Sequence, residues 1–591
     1  MRPLAACAVV LAPVLTSCVA DTSEVENVPI ATHVEDWRDE VVYQVLTDRF
    51  ANGDASNDFR VVPGVLGRYQ GGDWRGLIDR LDYLLELGVT TLWISPIVRN
   101  VDYDAGFDGY HGYWAQDFTD LNPHMGDLAT LRELVREAHD RGLKVVLDIV
   151  TNHVGQLFYY DINGNGQADD TLIGSGRTAG DSPLMRITEY DPDFDPRGIQ
   201  GFTSLGESGL APVRWINDPY ANRMPPVPDV LATFDVFNRR GRITDYSIME
   251  QTVLGDFPGG LKDLNTLDPR VQTAMIDVYV RWVRMLDLDG FRIDTLKHVE
   301  HDFWRVFCPA VRTQVAALGK RNFLQFGEAF DGDDALVGSF TMPGELDSAF
   351  YFAAKFQVFN DVFMFGQRTS KIRELFDQRA TNWGTTPQTD GIGVSPAEMP
   401  VNFLDNHDLP RFLYQQPDRN ALRLALTFLM TEQGIPSIYY GTEQDYEGGN
   451  DPANREPLWY SNYETGGETF RHIARLNAIR RAHAPLRRGS FDVRWDTDRT
   501  GDEADAGIFA FERTYEDRTV LVVLNTHAEH PSQTAFEGTT MTTSFAPGTT
   551  LVDVLGGAMT VTVGPGGAVL VDLAARSGAI LVPEADAVAT P

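Results

Sequence analysis

Four short segments of this chain place acids and histidines directly after an apolar run. KVVLDIVTNH (144–153) ends in Asp148, Asn152 and His153. GFRIDTLKH (290–298) holds Arg292, Asp294, Lys297 and His298. FLQFGEAF (323–330) holds Glu328 and Phe330, and VNFLDNHD (401–408) ends in His407 and Asp408. Carboxylates and imidazoles are the side chains that move protons near neutral pH, and a carboxylate can also attack as a nucleophile. One acid after a strand is often no more than the N-cap of the next helix. Four such clusters exceed what capping explains and point to a shared acid–base site.

Such a site needs elements that bring four distant segments together. The apolar runs 41–46, 90–95, 144–150, 290–294, 323–328, 401–405 and 436–441 read as buried strands. Amphipathic stretches lie between them, such as 127–142 and 269–288, with apolar positions three and four apart. Strand–helix alternation over this length predicts an α/β protein with a parallel sheet closed into a (β/α)8 TIM barrel, whose chemistry gathers where strands run into loops. A doubly wound sheet fits less well, because no glycine-rich dinucleotide turn follows the first strand. The alternation fails over 154–260, a Gly-, Pro-, Asp- and Asn-rich stretch too long for a loop, which predicts an inserted domain after the third strand. From 486 the pattern turns to short strands with turn residues between them, predicting a C-terminal antiparallel β-sandwich. The expected organisation is a leader over 1–18, a tether over 19–36, a barrel over 37–153 and 261–485, the insert over 154–260, and the sandwich over 486–591.

The formal net charge of −34 over 591 residues argues against nucleic acid as a partner and leaves a neutral substrate open. Residues 4–15 form an apolar run after Arg2, too short for a spanning helix and typical of a secretory leader. LTSC (15–18) resembles a bacterial lipobox, so the expectation is export, with a lipid on Cys18 as the single membrane attachment or with plain secretion. Besides Cys7 and Cys18 there is only Cys308, so no internal disulfide is expected.

DIVTNH, GFRIDTLKH, GEAF and FLDNHD resemble, in order and spacing, the four signature regions of the α-amylase family, glycoside hydrolase family 13. LKDLN (261–265), YHGYW (110–114) and GIPSIYYGTEQ (434–444) are similar to further family segments. The resemblance covers about 37–575. It implies a retaining glycosidase in which Asp294 is the nucleophile, Glu328 the general acid/base and Asp408 the third acid, gripping hydroxyls of the sugar at the broken bond. Arg292 lies two residues before Asp294 on one strand and would orient it and keep it ionised. Glu328 ends an apolar strand, a setting that can raise a carboxyl pKa. The resemblance also implies that His153 and His407 donate to the same sugar, that Tyr113 lies beneath it with His111 and Trp114 nearby, and that Lys297 and Phe330 stand on the leaving-group or acceptor side. For Trp114, core packing is an equal expectation.

Three stretches read as calcium sites. DRFANGDASND (48–58) with GGD (71–73) offers Asn52, Asp54, Asn57 and Asp58 as hard oxygens. It resembles the N-terminal calcium loop of the cyclodextrin glucanotransferases, which implies Asp73 and the Gly71 carbonyl as further ligands. The family site between barrel and insert implies Asn152, Asp263 and the His298 carbonyl. DINGNGQADD (161–170) sets Asp161, Asn163, Asn165 and Asp169 at positions 1, 3, 5 and 9 of a calcium loop, with Leu172 where position 12 needs Glu.

The N-terminal half is most similar to cyclodextrin glucanotransferases, but Gly259 stands where cyclising enzymes carry a bulky aromatic, and no further β domains follow the sandwich. Lys262 replaces a usual proline. The resulting expectation is a monomeric, endo-acting α-amylase-like hydrolase of α-1,4-glucans. A maltooligosaccharide transglycosylase and a non-catalytic glucan-binding lipoprotein are the alternatives.

Overall fold

The structure is a computed structural model that describes residues 27–104, 106–160 and 212–587. The expected leader, Cys18 and the 161–169 calcium loop lie outside the described residues.

Eight parallel strands form one sheet: β1 (Val42–Val45), β2 (Thr91–Ile94), β3 (Lys144–Ile149), β4 (Gly290–Ile293), β5 (Leu324–Gly327), β6 (Ser348–Ala349), β7 (Val401–Phe403) and β8 (Ile435–Tyr439). Their order is β6-β5-β4-β3-β2-β1-β8-β7. A parallel bridge between Phe350 and Val401 joins the two edges, so the sheet is nearly closed into the expected barrel. Seven of the strands were legible as apolar runs. The missed one, β6, is two residues long, and the apolar stretch beyond it continues into helix, so no period-2 segment marks it.

Alternation along the strands decides what faces inward. Val42, Trp93, Val146, Leu324, Phe326, Val401, Phe403 and Ile435 pack together inside the barrel. Their neighbours Tyr43, Leu92, Ile94, Val145, Leu147, Phe291 and Ile293 pack outward against the helices. These include α1 (Leu128–Asp140) and α2 (Pro269–Leu286), both where the amphipathic pattern placed them, and α3 (Arg419–Thr431). Strands covered on both faces are apolar at nearly every position, which is why they read as runs. Carried two residues past the packed layer, the same alternation turns Asp148, Asp294, Glu328 and Asp405 to the inside at the C-terminal mouth.

After β3 the chain leaves the barrel. His153–Val154 pairs antiparallel with Lys262–Asp263, and Phe158–Tyr160 with Val213–Trp215. Lys262 is wholly buried, its Nζ 2.9 Å from Asp256 Oδ2, which also accepts from the Tyr160 hydroxyl at 2.9 Å. Beyond the barrel, β9 (Asp492–Trp495), β10 (Ile508–Tyr515), β11 (Arg518–Asn525), β12 (Thr550–Asp553), β13 (Thr560–Thr562) and β14 (Ser577–Pro583) form an antiparallel sheet in the order β9-β10-β11-β14-β12-β13. One face, with Ile508, Ala510, Leu521 and Val523, packs under a second layer containing Val569, Val571 and Leu573. The other sets Phe509 and Phe511 against Phe428 of α3. Cys308 is buried and unpaired.

Candidate active site

Register places the first three acids. Arg292 of β4 stands opposite Asp148 of β3 and Phe326 of β5. The ladder runs on past the strands through Asp294 N to Ile149 O and Glu328 N to Ile293 O, both 2.9 Å. Asp294 and Glu328 therefore end neighbouring staves at the same height. The buried Arg292 guanidinium joins them: Nη1 is 2.8 Å from Asp294 Oδ1 and 2.9 Å from Asp148 Oδ1, and Nη2 contacts Glu328 Oε2. Asp148 also accepts from Trp93 Nε1 at 3.0 Å and the Tyr113 hydroxyl at 2.9 Å.

One guanidinium shared by three acids does not keep all of them low. Burial pushes the Asp294 carboxyl up to about 7; Arg292 opposes this, and the charges of Asp148 and Asp408 add to it. Burial likewise raises Asp148. At Asp294 desolvation and like charges thus outweigh the pull of Arg292, which still orients the carboxyl through its 2.8 Å contact. Thr295, the next residue, takes φ 58°, the left-handed region that a β-branched residue adopts only under constraint. That turn leads into the short helix Leu296–His298.

Asp408, the fourth acid at the mouth, is the most open of them, with a side chain 37% exposed. Its Oδ2 lies 3.0 Å from His407 Nε2. Gln44 Nε2 donates to His407 Nδ1 at 2.7 Å, and burial, with Arg455 and Arg292 near, pushes the His407 pKa well down. His407 is thus neutral, with its proton on Nε2 facing Asp408 and the mouth. Tyr113 stacks on His407 with centroids 5.1 Å apart, and His111 stacks on Tyr113 at 5.7 Å. His111 Nδ1 accepts from the Tyr113 amide. Trp114 is half-buried, edge-on to His111 and packed on the core, so it serves packing at least. Lys297 Nζ donates to the Phe330 carbonyl at 2.6 Å, and the Phe330 ring, 38% exposed, lies 4.6 Å from Phe352. Asp405 and Asn406 are buried and hold the loop: Asp405 accepts from Phe412 N and Thr442 Oγ1, and Asn406 from Asp408 N.

Motif matching passes over Arg455. Its Nη2 is 3.2 Å from Asp408 Oδ1, its Nε donates to the His407 carbonyl at 3.0 Å, and its Nη1 reaches Asp451 at 2.9 Å. The segment NDPANR (450–455) after β8 held the available signal, a charged pair next to a strand end.

The oxygens of Asn152, Asp263 and His298 converge as a cation site requires. His153 Nε2 lies 3.2 Å from the Tyr113 carbonyl, which can only accept, so Nε2 carries the proton. Burial pushes the His153 pKa down to about 4, so Nδ1 is a lone pair and must accept from Asn152 Nδ2 at 3.1 Å. The Asn152 amide oxygen then faces the His298 carbonyl at 2.8 Å and Asp263 Oδ1 at 3.2 Å. Turning the amide over would relieve those two contacts but set an oxygen against the Nδ1 lone pair. A cation satisfies all of them. Burial also pushes the Asp263 carboxyl well up, which a bound cation would reverse.

At the 48–58 loop, Asn52 Nδ2 donates to both Asp58 oxygens at 2.9 Å, and Asn57 Oδ1 is buried without a partner. Gly71 has φ +98°, and a Cβ there would lie 2.6 Å from Asp58 Oδ1, so only glycine lets the backbone come this close. Asp73 gathers the amides of Gly53, Asp54 and Gly76. Asp54 is exposed, and its Oδ1 accepts from Ser56 N in its own turn at 2.9 Å.

A barrel with four polar strand ends and three acids around one arginine is the architecture of a glycoside hydrolase, and comparison with known proteins agrees. The model of the α-amylase catalytic domain matches residues 44–171 and 246–474, more than half of the chain. The chain belongs to the α-amylase family and is a glycoside hydrolase. It is 33% identical over 451 residues to an uncharacterised glycosyl hydrolase of Schizosaccharomyces pombe, covering 75% of this chain and 74% of that one. It is 32% identical to an α-amylase of Streptomyces lividans, covering 87% of this chain but only 56% of that longer protein. Among solved structures, an Anoxybacillus α-amylase superposes with TM-score 0.69 at 27% identity, covering 93% and 99%. A three-domain cyclomaltodextrin glucanotransferase superposes with TM-score 0.68 at 26% identity, covering 92% and 98%.

Proposed function

We propose that this chain hydrolyses internal α-1,4-glucosidic bonds of starch, glycogen or maltooligosaccharides with retention of configuration. The observation that carries the reading is Arg292 in contact with both Asp294 and Glu328. A single guanidinium holding both suits the roughly 5–5.5 Å separation of a retaining pair. Asp294 attacks the anomeric carbon while Glu328 protonates the leaving oxygen. Glu328 then takes a proton from water, which displaces the sugar from Asp294. Asp408, with His407 and His153, binds hydroxyls of the distorted sugar, and Tyr113 forms the wall beneath it. Ca²⁺ on Asn152, Asp263 and the His298 carbonyl would tie the insert to the barrel, and a second ion would suit Asn52, Asp54, Asn57, Asp58, the Gly71 carbonyl and Asp73.

Hydrolysis is favoured over cyclisation by Gly259. Its φ of +92° is one that side chains rarely adopt, so no aromatic post is expected there. The chain's ending after the sandwich carries no weight, since a three-domain cyclomaltodextrin glucanotransferase has the same extent. Transglycosylation is therefore the second reading. A purely binding role fits poorly with Asp294, Glu328 and Asp408 all in place. The test is product analysis on starch and maltoheptaose over time: short linear oligomers support hydrolysis, while rings or products longer than the substrate overturn it. Export, with a lipid on Cys18, is proposed on the N-terminal sequence; Cys18→Ser should move the protein from the membrane to the soluble fraction. Among the described residues no helix is long and apolar enough to cross a membrane.

A further inference from the structure

The floor of the barrel, at the other end of β4 from Asp294, carries a second cluster that catalysis leaves unused. Asp289 immediately precedes β4, and Asp287 ends α2 in the left-handed region, at φ 63°. His139 lies in the last turn of α1. His33 comes from the segment ahead of β1. His33 Nε2 is 2.8 Å from Asp287 Oδ2, and His139 Nε2 is 2.8 Å from Asp289 Oδ2. His139 Nδ1 is 3.7 Å from Asp287 Oδ2. Lys320 takes the opposite side, 2.8 Å from Asp287 Oδ1 and 2.9 Å from Asp289 Oδ1. Each carboxylate thus turns one oxygen to the ammonium and the other to an imidazole.

One donor atom each from His33, His139 and Asp289 fall within 4.8 Å of one another. The histidine side chains are 26% and 10% exposed, so an ion can reach them from solvent. We propose that His33, His139 and Asp289 form a site for a divalent transition metal of the zinc class, which staples the segment ahead of β1 to the barrel floor. Two imidazoles and one carboxylate with a place left for water is a donor set zinc accepts; calcium, which wants six to eight oxygens, does not suit it. The supporting shell is in place. Val145 N donates to Asp289 Oδ2 at 2.9 Å, Lys320 holds Oδ1, and Asp287 Oδ2 stands ready to receive an Nδ1–H from His139 once its Nε2 binds metal. The segment is also held just downstream, where Asn322 Nδ2 donates to the Val34 and Glu35 carbonyls at 3.0 Å, so His33 is delivered to the site rather than found by chance. The rings now stack with centroids 3.6 Å apart. Loading therefore parts the stack. Because the site lies beneath the barrel, it acts on stability and not on the cleft.

The test uses the full chain, stripped with chelator, reloaded with Ca²⁺ and titrated with Zn²⁺ in a calorimeter. One equivalent of Zn²⁺ should bind and raise Tm. His33→Ala and His139→Ala should each weaken it at least tenfold while starch cleavage stays unchanged. Co²⁺ in place of Zn²⁺ should give the visible absorption of a four-coordinate ion in the wild type and not in the variants. Absence of Zn²⁺ binding, or equal affinity in the double variant, overturns the proposal. Binding and Tm are read without glucan, so failure of the glucan reading would leave this result standing.

Discussion

Asp294→Asn separates what this side chain does for chemistry from what it does to stability. Asparagine keeps the shape and can still meet Arg292, but it cannot form the glycosyl ester. Starch cleavage should fall by roughly four orders of magnitude, equivalent to about 5.4 kcal/mol of barrier, while binding of maltoheptaose is retained. Stability should move the other way. Asp294 is 6% exposed, and burial lifts its carboxyl from 3.8 to about 7. A carboxyl whose folded value is raised favours folding in its protonated form. That contribution is complete below the unfolded value near 3.8 and is lost as pH rises through about 7. At about 1.36 kcal/mol per unit, a three-unit shift sets a ceiling of about 4 kcal/mol for the penalty of the charged form at high pH. Because Asp148 shares the effect, roughly 1–2 kcal/mol is expected for Asp294 alone. Asparagine has no charge to bury, so the variant should gain about that much over wild type at pH 8 and much less at pH 5. Urea melts at the two pH values, with reducing-sugar release as the activity assay, test both halves. A variant within tenfold of wild-type activity would refute the nucleophile. A variant less stable than wild type at pH 8 but not at pH 5 would refute the electrostatic reasoning.

Chelation should lower Tm, and Ca²⁺ added back at a hundredfold excess over Kd should restore about 2.7 kcal/mol of stability; Asn152→Ala should blunt this response in the same melts. Lys262→Met leaves Asp256 buried without its ammonium and should cost about 3–5 kcal/mol in urea denaturation, with Asp256→Asn on the same background recovering part of it. Arg455→Met removes a donor from Asp408 and from the His407 carbonyl; kcat/KM on maltoheptaose should fall about 10–100-fold through misplacement of Asp408, with a smaller change in Tm.

Much of the site was legible because strand periodicity and catalytic placement are one rule here. A run such as KVVLD or FLQFGE fixes both a buried strand and the direction its last acid faces, and no distant contact is needed to read that. Arg455 was hidden because its link to Asp408 spans loops after two different strands, a pairing that neither segment encodes locally. Strand β6 was hidden by its length, two residues that run straight into helix. The likeness of the N-terminal half to cyclodextrin glucanotransferases was visible in motifs. The left-handed backbone at Gly259, which bears on the outcome of the reaction, was not.

By itself the sequence determined the strand–helix alternation of the barrel and the polar clusters at its strand ends, since these follow from local alternation of apolar and polar residues, while the resemblance to the α-amylase family assigned the acids their parts. Only the tertiary structure decided that one arginine serves three carboxylates, that the protons of His153 and His407 sit on Nε2, that the Asn152 oxygen is turned toward two others, and that His33 meets His139 beneath the barrel. Each of these depends on distances between atoms far apart in the chain, and charge, tautomer and ligand geometry are set by such distances and not by residue order.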